Sequence, residues 1–167
     1  MGSTDLVHKR TAYIRASADD VWRALTDPSL TVRYVGTRVE STWTPGDKLV
    51  YLAPDSDQKL LEGTLVEVEP RRRLVLECRW LFAPEMAAER PHHETFEIEP
   101  LGEVTKLTAT FDGYEDGSAA YYACDMARTG DGLKYLLETG KDLFEAVPDA
   151  PKEVFVSSSD ANNQTGQ

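Results

Sequence analysis

Apolar and polar positions alternate over residues 7–16, where Ala12, Ile14 and Ala16 share one parity against Tyr13 and Arg15. A period of two predicts a half-buried strand. The period then lengthens, with Val21, Trp22 and Leu25 recurring at helical spacing behind Ser17, Asp19 and Asp20, an N-cap with first-turn acids. Asp27-Pro28 ends that helix, and a second short helical piece over residues 29–34 completes a helical pair. Strand-like runs follow at residues 37–44, 48–52, 60–69, 74–80, 92–99 and 105–112. They are punctuated by turn chemistry at Pro45-Gly46-Asp47, Pro54-Asp55-Ser56-Asp57, residues 70–72 and Pro100-Leu101-Gly102-Glu103. Most of these connections are too short to hold crossover helices, which predicts antiparallel neighbours.

From residue 118 to 145 the pattern changes again. Ala119, Tyr122, Met126, Leu133, Leu136, Leu137, Leu143 and Phe144 recur at spacings of 3 and 4, which predicts one long amphipathic helix, about 42 Å if continuous. Gly130 and Gly132 interrupt it and mark a bend or a close backbone approach. The expected fold class is therefore α+β, a curved antiparallel sheet of about seven strands wrapped around a long C-terminal helix. Parity assigns Leu74, Leu76, Cys78 and Trp80, then Phe96 with Ile98, and Leu107 with Ala109 and Phe111, to the helix-facing side. Three segments are expected: a flexible start over residues 1–10, one domain over residues 11–147, and a disordered tail over residues 148–167. The tail is rich in Ser, Asn and Pro and poor in anything that repays ordering.

The net charge of −11 over 167 residues repels phosphate backbones, so nucleic acid is not an expected partner. With 41% hydrophobic and 28% charged residues the composition is that of a globular domain. No apolar run approaches the ~20 residues of a bilayer span, so no membrane insertion is expected. No secretory signal opens the chain, and a cytoplasmic location is the expectation. Cys78 and Cys124 fit no metal spacing and read as reduced core thiols. Arg71-Arg72-Arg73 sits in a turn, where pairing with Glu67 and Glu69 or solvation is the expected fate.

One ordered string of motifs stands out. Ile14-x-Ala16 precedes Val21-Trp22-x-Ala24-Leu25-Thr26-Asp27-Pro28, and Pro45-Gly46 follows. Glu62-Gly63-Thr64-Leu65-Val66-Glu67-Val68-Glu69-Pro70 with Arg73-Leu74 comes next, then Thr105-Lys106-Leu107-Thr108 and Gly132-Leu133-x-x-Leu136-Leu137. The string resembles the SRPBCC (START-like, helix-grip) superfamily over residues 11–145. It is most similar to the group of homologues of the activator of the ninety-kilodalton heat-shock chaperone ATPase. Tyr34 and Leu133 stand where that group carries Trp, which changes the shape of any cavity. The resemblance implies a helix-grip fold with a cavity between the concave sheet and the C-terminal helix.

Trp43, Tyr51, Leu76, Cys78, Trp80, Phe96, Phe111, Tyr122, Met126 and Leu133 are the candidate lining residues; packed core is the alternative for each. His92-His93-Glu94 carries the residue types of acid/base chemistry. Adjacent strand residues face opposite ways, so His92 and Glu94 share a face and His93 does not. As a strand start the pair is expected to meet water, whereas the parity of Phe96 and Ile98 would send it toward the cavity. No third ligand accompanies it, so neither metal nor cofactor is expected. The acidic loop of Asp112, Tyr114, Glu115 and Asp116 reads as a cavity gate or a solvated turn whose Asp116 or Ser118 caps the following helix. His8, near the start, is expected to be mobile. The leading expected function is binding of a small hydrophobic or aromatic molecule. The alternatives are a polyketide cyclase/dehydratase-like enzyme using His92 or Glu94 with Tyr51 or Tyr122, and an interaction module that forms a homodimer or contacts a chaperone.

Overall fold

Ser17 converts strand into helix. Its backbone is extended and its Oγ accepts the Asp20 amide at 3.1 Å, which starts α1 (Ala18–Thr26) directly after β1 (His8–Ile14). Asp27 both ends α1 and caps α2 (Pro28–Tyr34), accepting the Ser29 amide at 2.9 Å with Pro28 in the first turn. Six further strands follow: β2 (Arg38–Ser41), β3 (Lys48–Leu52), β4 (Lys59–Glu69), β5 (Arg73–Trp80), β6 (His92–Leu101) and β7 (Val104–Asp112). The computed structural model describes residues 5–126 and 128–146; the expected tail, residues 148–167, lies outside them.

The seven strands form one antiparallel sheet in the order β1-β7-β6-β5-β4-β3-β2, so the meander β2–β7 closes by bringing β1 back against β7. Register shifts at Tyr51/Leu52 and Leu65/Glu67 add bulges, which curve the sheet. On its concave face Leu74, Leu76, Cys78, Trp80, Phe96, Ile98, Leu107, Ala109 and Phe111 are all buried, as parity predicts. Gly63 pairs with Cys78, and a Cβ at Gly63 would stand 2.7 Å from that of Cys78, so only glycine permits this approach of β4 to β5.

Pairing begins at His8, earlier than the domain start expected at residue 11. His8 is not mobile: its Nε2 lies 2.8 Å from the Tyr121 carbonyl and its ring stacks on Tyr121 at 4.1 Å. Residues 81–91, left without an element by the sequence pattern, contain the short α3 (Pro84–Ala87).

The expected long C-terminal helix is broken into pieces. α4 (Ala119–Ala123) ends at an extended Cys124, a π-helical turn spans Arg128–Gly132, α5 (Leu133–Thr139) stops at a left-handed Gly140, and α6 (Leu143–Ala146) follows. Close packing explains the π turn: a Cβ at Gly130 would lie 3.0 Å from the Arg10 side chain. The glycines therefore mark the close approach and wide turn that let the segment follow the sheet. Arg33 pins the far end, donating to the Gly140 carbonyl at 2.7 Å and to Asp142 at 2.6 Å.

Candidate functional site

A cavity of about 60 Å³ lies between the concave sheet and the helical layer. Tyr51 of β3, Trp80 of β5, Phe96 of β6 and Phe111 of β7 form its sheet side, four of the candidate lining residues. Tyr34, Thr37 and the segment Cys124, Asp125, Arg128 and Thr129 form the opposite side. Apart from Tyr34, which the resemblance tied to cavity shape, none of these was expected to line it.

Other candidates fall elsewhere. Leu76, Cys78, Met126 and Leu133 are buried in the core and do not line the cavity. Trp43, in a left-handed turn after β2, is half-buried against the core and is likewise not in the lining. Tyr122 is 71% exposed, a correction that follows from the broken helix: a five-residue α4 does not carry the stripe predicted for a continuous one.

The strand start of β6 does not meet water. His92 and Glu94 are both buried, with Nε2 to Oε2 at 2.8 Å, and the Trp80 indole N–H donates to the same Oε2 at 3.2 Å. Glu94 reaches the cavity wall. Cys78, paired with His92 across β5 and β6, brings its Sγ to 3.7 Å from His92 Nε2. The donor atoms of Cys78, His92 and Glu94 all lie within 4.8 Å of one another. This is the third partner that the sequence did not supply, because it arrives by strand register from the neighbouring strand.

The cover over this cluster comes from the loop after β7. Tyr114 stacks on His92 at 4.4 Å and meets Tyr121 edge-on at 5.4 Å, and Tyr121 stacks on His8. Glu89, just after α3, accepts the Ala119 amide at 2.7 Å and the Ser118 hydroxyl, while Ser118 Oγ accepts the Tyr121 amide, so α4 is doubly capped. Arg90 binds the carbonyls of Gly113 and Tyr114, and its amide donates to Glu115 at 2.8 Å. The acidic loop is thereby fastened over β6 through a buried Tyr114, while Asp116 stays exposed and Ser118 is the helix cap the sequence offered.

Burial pushes the Cys78 thiol well above its ordinary value, with the Glu94 carboxylate adding to the rise. Burial does the same to Cys124 and to the phenols of Tyr34, Tyr51 and Tyr114, and Glu94 adds to it at all of these but Tyr34. The thiols are therefore neutral at neutral pH, which removes their nucleophilicity. The geometry also departs from a relay triad, in which the base uses one ring nitrogen for the nucleophile and the other for the carboxylate. Here Cys78 and Glu94 both approach Nε2.

Arg128, another residue that sequence reasoning missed, is buried in the cavity wall with Nε 3.4 Å from Asp125 Oδ2. The turn arginines behave as expected. Arg72 pairs with Glu69 at 2.7 Å, Arg73 with Glu67 at 3.0 Å and Glu97 at 3.4 Å, and Arg71 lies 3.6 Å from Asp19.

A family model described as "Activator of Hsp90 ATPase homolog 1-like protein" matches residues 15–138. Among solved structures, the Aha1 dimer from Colwellia psychrerythraea superposes with a TM-score of 0.63 at 14% identity, covering 81% of this chain and 98% of that one. DynU16, a protein of the dynemicin biosynthetic locus, gives 0.62 at 21% identity, covering 83% of this chain and 49% of its own. An Hsp90 activator from Plasmodium falciparum gives 0.58 at 16% identity, covering 87% and 97%. These likenesses establish the helix-grip fold. No curated protein sequence matches the chain significantly. Among the described residues no helix is long and apolar enough to cross a membrane.

Proposed function

The chain belongs to the Activator of Hsp90 ATPase homolog 1-like family, and on that premise we propose that it binds a small hydrophobic or aromatic molecule in the cavity between sheet and helices. The carrying observation is the wall itself: the aromatic side chains of Tyr34, Tyr51, Trp80, Phe96 and Phe111 surround a space that they do not fill, with Glu94 as a polar fixture. Mostly apolar walls with a few placed polar groups are the usual make-up of a small-molecule site.

Size restricts the mechanism. An apolar cavity of ~150 Å³ takes benzene, so a space of about 60 Å³ admits a ring only if one wall retreats. The parts of the wall that can retreat at least cost are Cys124 and the π-helical turn Arg128–Gly132, where α-helical hydrogen bonding is already interrupted. Sheet strands on the other side are held by ladders on both edges. Binding thus couples to an outward shift of those parts, and the guest presents a hydrogen-bonding group toward Glu94 or Tyr51.

The test is a titration with phenol, indole and naphthol, read by the fluorescence of Trp80 and by melting temperature. A guest at about 100 times its Kd stabilises by about 2.7 kcal/mol, which raises the melting temperature of a domain this size by about 5–10 °C. Leu61→Phe, which extends a ring into the cavity, abolishes both responses. An unchanged wild type across all three compounds contradicts the reading.

A second reading is favoured by the inward Glu94: acid/base catalysis on a carbonyl guest positioned by Tyr51, as in a cyclase or dehydratase. His92 supports it only through Glu94, and the exposed Tyr122 drops out. Turnover of a carbonyl guest that disappears in Glu94→Gln while binding persists would bring this reading forward. Self-association and chaperone contact draw support from relatives that form a dimer or activate Hsp90; concentration-dependent sedimentation or chaperone capture tests them.

A further inference from the structure

Cys78, His92 and Glu94 are three different metal-ligating types placed by two adjacent strands, and their donor atoms converge on one point beside the cavity. Convergence is the informative feature. In a proton relay the groups stand in series, whereas Sγ and Oε2 here flank a single nitrogen, His92 Nε2, at 3.7 and 2.8 Å. We propose that this cluster is a mononuclear Zn²⁺ site with three protein ligands and an open fourth position.

The distances suit that ion. Bonds of ~2.3 Å to sulfur and ~2.0–2.2 Å to nitrogen and oxygen place tetrahedral ligands about 3.4–3.6 Å apart. The Cys78–His92 separation of 3.7 Å lies about 0.1 Å beyond that range. The His92–Glu94 contact of 2.8 Å, a hydrogen bond in the metal-free state, opens by roughly 0.6 Å to admit the ion. A mixed sulfur, nitrogen and oxygen set selects a borderline-soft cation over Mg²⁺ or Ca²⁺.

Charge and surroundings agree. On binding, Cys78 releases its thiol proton to solvent and becomes a thiolate. Thiolate, carboxylate and neutral imidazole then balance Zn²⁺ exactly two charges for two, leaving no net charge in a buried place. Outer groups hold the ligands in position: the Trp80 indole orients the Glu94 carboxylate, and Tyr114 stacks on the His92 ring. Gly63 supplies the close packing behind Cys78. Glu94 is the one ligand of the three that also lines the cavity, and the open fourth position takes water. The site stands without the guest-binding reading, since its ligands are complete before any guest arrives.

Cobalt(II) is the probe. The full chain, stripped with a chelator and titrated with Co²⁺ alone, gains one equivalent of metal with a thiolate-to-cobalt charge-transfer band and strong four-coordinate d–d bands. Zn²⁺ bleaches both. Cys124→Ser keeps the spectrum and Cys78→Ser loses the charge-transfer band. His92→Gln and Glu94→Gln bind Zn²⁺ at least about 100-fold more weakly, since even outer-shell losses cost about 10–100-fold. If Cys78→Ser does not fold by circular dichroism, X-ray absorption of the zinc-loaded wild type decides, with one sulfur and two or three nitrogen or oxygen neighbours expected. Absence of the band in the wild type, its survival in Cys78→Ser, or a sulfur-free zinc shell overturns the proposal.

Discussion

Two histidine–glutamate pairs sit on opposite faces of the sheet at β6, one within that strand and one reaching across to β5. His92 and Glu94 face the concave side at 2.8 Å with side chains 3% and 6% exposed; His93 and Glu77 face the outer side at 3.3 Å with 42% and 49% exposed. The residue types are the same and both histidines stand at the start of β6, so what separates the pairs most is environment. On the outer face water solvates each partner and the pair is worth little, in the range of 0–1 kcal/mol. On the inner face each polar atom depends on the others, because a buried group left without its partner costs about 1–3 kcal/mol. The inner pair is therefore a committed arrangement that shapes the cavity wall, and the outer one is surface.

Removing the carboxylate from each side gives the largest contrast. Glu94→Ala strands the His92 Nε2 and the Trp80 indole N–H together and is expected to cost about 2–5 kcal/mol in urea unfolding. Glu77→Ala should stay within about 1 kcal/mol. Equal losses would erase the distinction between the faces. Next in size, Gly63→Ala forces a methyl to 2.7 Å from Cys78 Cβ and 2.5 Å from the Glu77 carbonyl, and should cost about 1–3 kcal/mol by overpacking. A neutral result would show that β4 yields there.

The inner face also sets the alkaline limb of stability. Cys78, Cys124, Tyr34, Tyr51 and Tyr114 are all raised by burial, so the folded state holds their protons more tightly than the unfolded chain does. Stability from this source is complete below the unfolded values and is lost as pH rises past the ordinary thiol value of 9.0. Melting temperature should fall progressively from pH 9 upward, and a flat profile to pH 11 would contradict the burial. Smallest is Glu138, whose carboxyl is held below its ordinary 4.5 by the Lys134 hydrogen bond and the Arg15 amide. A lowered value means stability present above 4.5 and lost as pH falls through the folded value. Glu138→Gln should flatten that acid limb slightly, and an unchanged limb removes the assignment.

Seven strands were legible because alternation and turn residues are local signals; the pairings from β2 to β5 and of β6 with β7 follow from short connections, whereas β5–β6 spans α3 and β1–β7 closes the sheet from its two ends. The C-terminal segment misled for an equally local reason. Spacings of 4 and then 7 carry the helical pattern from Tyr122 through Met126 to Leu133, across Cys124 and Gly130, even though the backbone breaks there. Parity found Trp80, Phe96 and Phe111, with Tyr51 added through the resemblance, and it also gave His92 and Glu94 the inward parity of Phe96. What it could not supply was their burial, which depends on Tyr114 and on the Glu89 and Arg90 contacts that fasten the covering loop. Cys78 joins them through register alone, and Arg128 enters the wall only because the helix is interrupted.

Native mass spectrometry of the chain as purified, followed by denaturing extraction, tests the cavity's role most directly. A small apolar molecule bound one per chain, absent from Leu61→Phe, is the result this account predicts. Bare chain in both proteins, with no mass gained on adding phenol, indole or naphthol, would contradict it.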